Sequence, residues 1–162
     1  MQVVLENEVL KVTINSFGAE LASIWGKATD TEYLWNADAK YWKRSAPVLF
    51  PFVGSVKNKK YRYEGKTYSM GQHGFARDME FDVDVQTATE AWFSLKSGEE
   101  TKAKYPFAFI LKIGYQLEGK ELKVIWQVEN PDTKQLYFSI GGHPAFMCPI
   151  DEKGKQSDYY FK

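Results

Sequence analysis

"PFAFILKIGYQLEGKELKVIWQVEN", residues 106–130, decides the fold. Apolar and polar residues alternate along it with period two, and successive side chains of a strand point to opposite faces. Phe107, Phe109, Leu111, Ile113, Tyr115 and Leu117 therefore share one face. After a turn at Glu118 to Glu121, Leu122, Val124, Trp126 and Val128 share a face on the returning arm. Two such runs joined by a short polar turn predict a β-hairpin.

The same period recurs on both sides. "EVLKVTI" predicts a strand with Leu10, Val12 and Ile14 inward, and "KYRYEGKTYSM" a hairpin turning near Gly65. "EFDVDVQTATEAWFSLK" sets Phe81, Val83 and Val85 opposite Phe93 and Leu95. Helical periodicity is confined to "NADAKYWKRSA", residues 36–46, a short helix that Pro47 ends. No repeat or linker divides residues 1–162. Many short strands separated by turns predict an all-β, antiparallel β-sandwich in one domain. The terminal "QSDYYFK" reads as a strand begun without a partner, an edge through which the chain is expected to self-associate.

Composition bounds the function. Apolar residues are 44% and charged residues 26%, which excludes a disordered chain. Aromatic residues are 16%, and their flat rings suit pleated, half-buried surfaces. Twenty-one basic and twenty-one acidic residues cancel, so nothing favours nucleic acid or another polyanion, and a neutral ligand fits better. The N-terminus lacks a basic segment followed by a long apolar one, and no run is long enough to span a bilayer, so a cytoplasmic protein is expected. The single cysteine, Cys148, has no partner for an internal disulfide or zinc knuckle and reads as a small buried hydrophobe.

The chemistry-bearing candidates are few. His73 and His143 are the only histidines, the first in "GQHGFARD" and the second in "GGHPAF". Histidine titrates near neutral pH, so modest surroundings make it a proton donor or acceptor. His143 lies between Gly142 and Pro144 at the end of "LYFSI", a strand expected to hold the imidazole rigidly. Arg77 and Asp78 follow His73 closely and form a salt bridge or bind a ligand. No P-loop, GxGxxG, HExxH, GxSxG or EF-hand pattern occurs, and no two of the 21 acids stand out as a glycosidase pair. Neither a metal site nor a cofactor is expected. Trp35, Tyr41 and Trp42 are either sugar-stacking or packing aromatics.

"GAELASI" (18–24), "YLW" (33–35), "SAPVLFPFVG" (45–54), "YRYEGKTYSMGQHGFARD" (61–78) and "GGHPAF" (141–146) together resemble, in order, the aldose 1-epimerase (galactose mutarotase) family, nearest its LacX-type branch. The resemblance implies a galactose mutarotase-like β-sandwich whose concave face holds an aldohexose such as galactose or glucose and interconverts its α and β anomers without a cofactor. It implies that His143 is the general acid toward the ring oxygen, that His73 holds the sugar and stabilises charge, and that Arg77 contacts substrate. Two features depart from the family pattern. Ser55 stands after Gly54, where relatives commonly carry a basic residue, and the family's catalytic glutamate lies well beyond the "GGHPAF" motif, outside residues 1–162. The chain thus reads as the N-terminal part of an incomplete sandwich that lacks its base. The competing expectations are a non-catalytic carbohydrate-binding module and a hexose-6-phosphate 1-epimerase. The latter requires clustered arginines, and only Arg44, Arg62 and Arg77 occur.

Overall fold

Residues 106–130 form the expected antiparallel hairpin in a computed structural model, which describes residues 1–150 and 154–161. Strands β1 (Gln2–Glu6), β2 (Leu10–Asn15), β3 (Glu20–Gly26) and β4 (Thr31–Glu32) build one antiparallel sheet in sequence order. β5 (Val48–Leu49) stands apart, and β6 (Lys60–Tyr63) with β7 (Lys66–Ser69) makes the hairpin at Gly65. β8 (Asp82–Gln86), β9 (Glu90–Lys96), β10 (Ile110–Glu118) and β11 (Glu121–Glu129) form a second antiparallel sheet in the order β11-β10-β9-β8. β12 (Gly141–Gly142) returns to pair with β5.

The alternation explains the layering. Val3, Leu5, Val12 and Ile14 from the first sheet and Phe93, Leu111, Ile113 and Tyr115 from the second are at most 2% exposed and belong to one core. Each sheet has one apolar face, and packing the two faces together is how water is excluded from both. The Tyr115 hydroxyl crosses between layers and donates to the Ala19 carbonyl at 2.7 Å. That bond satisfies the one polar atom the ring carries into the core.

Several expectations change. Residues 36–46 form turns, not a helix. The Asn36 and Asp38 side chains accept the backbone N–H groups of Asp38 and Lys40, and Ala37 has φ +57°, so local side-chain bonds displace helical ones. The α-helix that does form is α1 (Glu99–Lys104), with acids in its first turn and lysines in its last, after Gly98 and before Pro106. Val85 faces Trp92 and is 41% exposed, because a bulge at Val83 to Val85 shifts the register. Residues 136–140 do not form the expected strand; Ser139 N–H donates instead to the Pro51 carbonyl at 2.9 Å.

Toward the C-terminus, Gln156–Asp158 is a 3-10 turn, and Tyr159–Phe161 is not a strand. The edge strands of the two four-stranded sheets are β1, β4, β8 and β11. Cys148 is exposed, because it follows the last paired residues and no layer covers it. No described helix is long and apolar enough to cross a membrane.

Candidate functional site

The motifs far apart in sequence meet along one ribbon. β12 pairs with β5, and the pairing continues outward: His143 N–H donates to the Pro47 carbonyl at 3.2 Å and Ala145 N–H to Ser45 at 2.8 Å. Trp35 N–H then donates to Ala145 at 2.9 Å, and Leu34 bridges Phe146. On the other flank Phe50 bridges Gly74 in parallel, and its carbonyl accepts from both Phe75 and Ala76. Gly74 is required there. A Cβ on it would lie 2.1 Å from the Phe50 oxygen, and its φ is +75°.

This ribbon brings the two histidines together. Their ring centroids are 6.2 Å apart at an interplanar angle of 65°, with His73 half-buried and His143 exposed. His73 sits at φ +64°, which an L-residue adopts at some cost. Two reciprocal bonds with Gly54 hold it. His73 N–H donates to the Gly54 carbonyl at 2.7 Å, and Gly54 N–H donates to His73 Nδ1 at 3.0 Å. Because Nδ1 accepts, the neutral ring carries its proton on Nε2.

Burial lowers the His73 pKa below its ordinary 6.5, and the Arg77 charge and the His143 ring act in the same direction. Arg77 is itself a half-buried neighbour. Its Nη2 donates to the Gln72 carbonyl at 2.8 Å, while its Nε is buried without a hydrogen-bond partner, 3.8 Å from Asp78. Burial and the nearby Arg44 charge pull its pKa down, against Asp78 and Glu20.

Arg44 is occupied in scaffolding. Its guanidinium pairs with Glu20 and Asp78 and donates to the Arg77 carbonyl at 3.1 Å. Glu20 is buried and also accepts N–H bonds from Ser45 at 2.8 Å and Ala46 at 3.0 Å, so it clamps the start of the ribbon. Two of the three arginines are thus neighbours, contrary to their scatter in sequence. One of the two is already neutralised by carboxylates.

Aromatic residues frame His143 on two sides. The Trp42 ring lies 5.1 Å from it, whereas Trp35 and Tyr41 pack edge-to-face on each other at 6.2 Å. On the opposite face of β12, Trp126 of β11 packs so closely on Gly142 that a Cβ there would lie 2.8 Å from the indole. A hollow of about 600 Å³ nearby is lined by Phe17, Glu20, Lys43, Arg44 and Asp78, and it includes neither histidine. The imidazole pair faces an open surface. Among the described residues, no carboxylate bonds to either imidazole, and no cluster of three metal-ligating side chains occurs.

The sequence matches the aldose 1-epimerase family model over residues 1–160. The chain belongs to the aldose 1-epimerase family. The chromosomal LacX protein of Lactococcus lactis subsp. lactis is 39% identical over 165 residues, which is 98% of this chain and 55% of LacX. A galactose mutarotase related enzyme from Lactobacillus acidophilus superposes with a TM-score of 0.93 at 42% identity, over 96% of this chain and 52% of that one. A galactose mutarotase-like protein from Lactobacillus casei gives 0.89 at 40% identity, over 91% and 50%. The chain therefore spans about half the length of these relatives.

Within this member of the aldose 1-epimerase family, His73, His143 and Arg77 fall in one neighbourhood. Trp42, read from the sequence as either a sugar-stacking or a packing aromatic, lies beside His143, and Gly54 and Trp126, which sequence reasoning did not single out as site residues, also shape the neighbourhood. Gly54 ended a quoted motif, yet only the folded structure reveals that its N–H fixes an imidazole.

Proposed function

We propose that this chain carries the sugar-gripping part of an aldose 1-epimerase site, with a free aldohexose held between His73, His143, Arg77 and Trp42. The observation that supports this best is the paired imidazoles at 6.2 Å on an open face, one of them wired as an Nε2–H donor. In the reaction, protonated His143 gives its proton to the ring oxygen as the C1–O5 bond breaks. A carboxylate takes the C1 hydroxyl proton, leaving an open-chain aldehyde. Rotation about C1–C2 and reversal of both transfers close the other anomer. His73 Nε2–H and the Arg77 guanidinium stabilise the oxygens on which charge develops, and Trp42 stacks on the sugar's apolar face. The carboxylate is supplied from outside residues 1–162, and the chain alone turns over weakly or not at all.

That no carboxylate among the described residues bonds to either imidazole favours one second reading, a carbohydrate-binding module without turnover. Sugar phosphates rank below both, since Arg44 is already paired with Glu20 and Asp78. Titration of the chain with glucose or galactose, followed at the imidazole NMR resonances, should give saturable shifts of both rings, with anomer exchange near its uncatalysed rate. Absence of saturable shifts would remove the sugar reading. Fast exchange that disappears in His143→Ala would show that the base is already present.

A further inference from the structure

Arg77 and Asp78 are successive residues of the 3-10 turn Ala76–Asp78, and their opposite charges favour a hydrogen-bonded pair. They do not form one. Asp78 Oδ2 stops 3.8 Å from Arg77 Nε, beyond hydrogen-bond reach, and among the described residues that buried Nε has no hydrogen-bond partner. A buried donor left open costs free energy, so the gap needs a cause. The turn itself is fixed. The Phe50 carbonyl accepts from Phe75 and Ala76, and Gly18 N–H donates to the Met79 carbonyl at 2.7 Å, which leaves the choice of partner to the side chains. Asp78 is taken by Arg44, whose Nη2 donates to Asp78 Oδ1. The same guanidinium sends Nη1 to Glu20 at 3.4 Å and to the Arg77 carbonyl at 3.1 Å. Glu20 is buried and bonded to the Ser45 and Ala46 N–H groups, so it anchors Arg44 in this orientation.

We infer that Arg44 is a positioning residue for Arg77: by drawing Asp78 aside, it keeps the Arg77 guanidinium open to an uncharged ligand oxygen such as a sugar hydroxyl. The role depends on the planar fork of an arginine. One nitrogen faces Glu20 while the other faces Asp78, whereas a lysine ammonium is a single point that can stay with the buried Glu20 but cannot also hold Asp78 in a second direction. The cluster also sets the kind of oxygen that is welcome. Arg44 and Arg77 are balanced by Glu20 and Asp78, so the neighbourhood offers hydrogen-bond donors without an excess of positive charge, which suits a hydroxyl better than a phosphate. Without Arg44 the nearest carboxylate would fill the place of the ligand. The inference rests on the sugar reading for its consequence, but the held-back carboxylate has a readout that needs no sugar.

The test compares Arg44→Lys, Asp78→Asn and the double variant with the parent chain, folding being checked by circular dichroism. His73 reports on Arg77, because burial first and the Arg77 charge second hold its pKa below 6.5. In Arg44→Lys, Asp78 should close on Arg77 and cancel that charge, so the His73 midpoint followed by imidazole NMR should rise. Glucose or galactose should then bind at least about tenfold more weakly, the share of one charge-assisted hydrogen bond. Adding Asp78→Asn should return both readings to the parent's, a rescue that a merely structural role of Arg44 does not allow. Asp78→Asn alone, at a side chain 53% exposed, should leave the His73 midpoint in place and the sugar affinity within about twofold of the parent. An unmoved His73 in Arg44→Lys, no rescue in the double variant, or a lowered midpoint or tenfold tighter binding in Asp78→Asn would each overturn the inference. The Asp78→Asn arm decides if Arg44→Lys does not fold. Should the parent bind no sugar, the His73 midpoints still report whether Arg44 holds Asp78 back, so the two proposals fail separately.

Discussion

His73 and His143 meet in space but are held by opposite means. His73 is anchored to the core: its neighbour Gly74 lies against Phe50, a residue with 0% exposure, and Gly54 grips both its N–H and its Nδ1. His143 rides on a two-residue strand, exposed, with one long backbone bond to Pro47 and an indole beneath its neighbour. The difference teaches that one arm of the site is set by packing and the other by a thin ribbon whose support is half open. Substitutions should therefore cost stability on the first arm and position on the second.

The largest effect is expected from Gly74→Ala. Its Cβ would collide with backbone at 2.1 Å, and backbone cannot yield, so roughly 3 kcal/mol or more of unfolding free energy should be lost in denaturant titration. A loss under about 1 kcal/mol would mean the Phe50 bridge is not rigid. Next is His73→Ala, which leaves the Gly54 N–H without its acceptor and should cost roughly 1–3 kcal/mol. His73→Asn should recover part of this, since Asn tolerates positive φ and its side-chain oxygen can accept the same N–H.

On the ribbon arm the numbers shrink. Gly142→Ala meets the half-exposed Trp126 side chain, which can move, so about 1 kcal/mol is expected together with a displaced His143 resonance. His143→Ala should change stability by no more than about 0.5 kcal/mol, because the ring is exposed, while removing the sugar response. Equal losses for Gly74→Ala and Gly142→Ala would erase the contrast.

Acid sharpens the same contrast. Since the folded His73 pKa is lowered from 6.5, the unfolded chain takes up its proton first as pH falls. Stability contributed by the neutral ring is intact above about pH 6.5 and is lost from there down to the lowered folded value. Unfolding measured across this window should show that loss in the parent chain and in His143→Ala, but not in His73→Asn.

The fold was legible wherever alternation reports burial. Leu10, Val12, Ile14 and the β10 row all face inward as their period predicts. Period says which residues share a face, but not whether a second layer exists to cover it, so β11 carries the same pattern and stays half exposed. Residues 36–46 show the other limit, where side-chain turns at Asn36 and Asp38 defeat a plausible helical pattern. At the site, residue type and the family resemblance pointed to His73, His143 and Arg77. Nothing in spacing could show that Glu20 and Asp78 claim Arg44, or that Gly54 orients a ring 19 residues away in sequence.

The Gly54 contact has a consequence for proton traffic. A ring whose Nδ1 is plugged by a backbone donor can lend the hydrogen on its far nitrogen to an oxygen, but it cannot pass a proton through itself, because the inner end would have to expel Gly54 first. His73 is thus wired as a fixed dipole, and under the proposed function proton transfer falls to the looser imidazole at position 143.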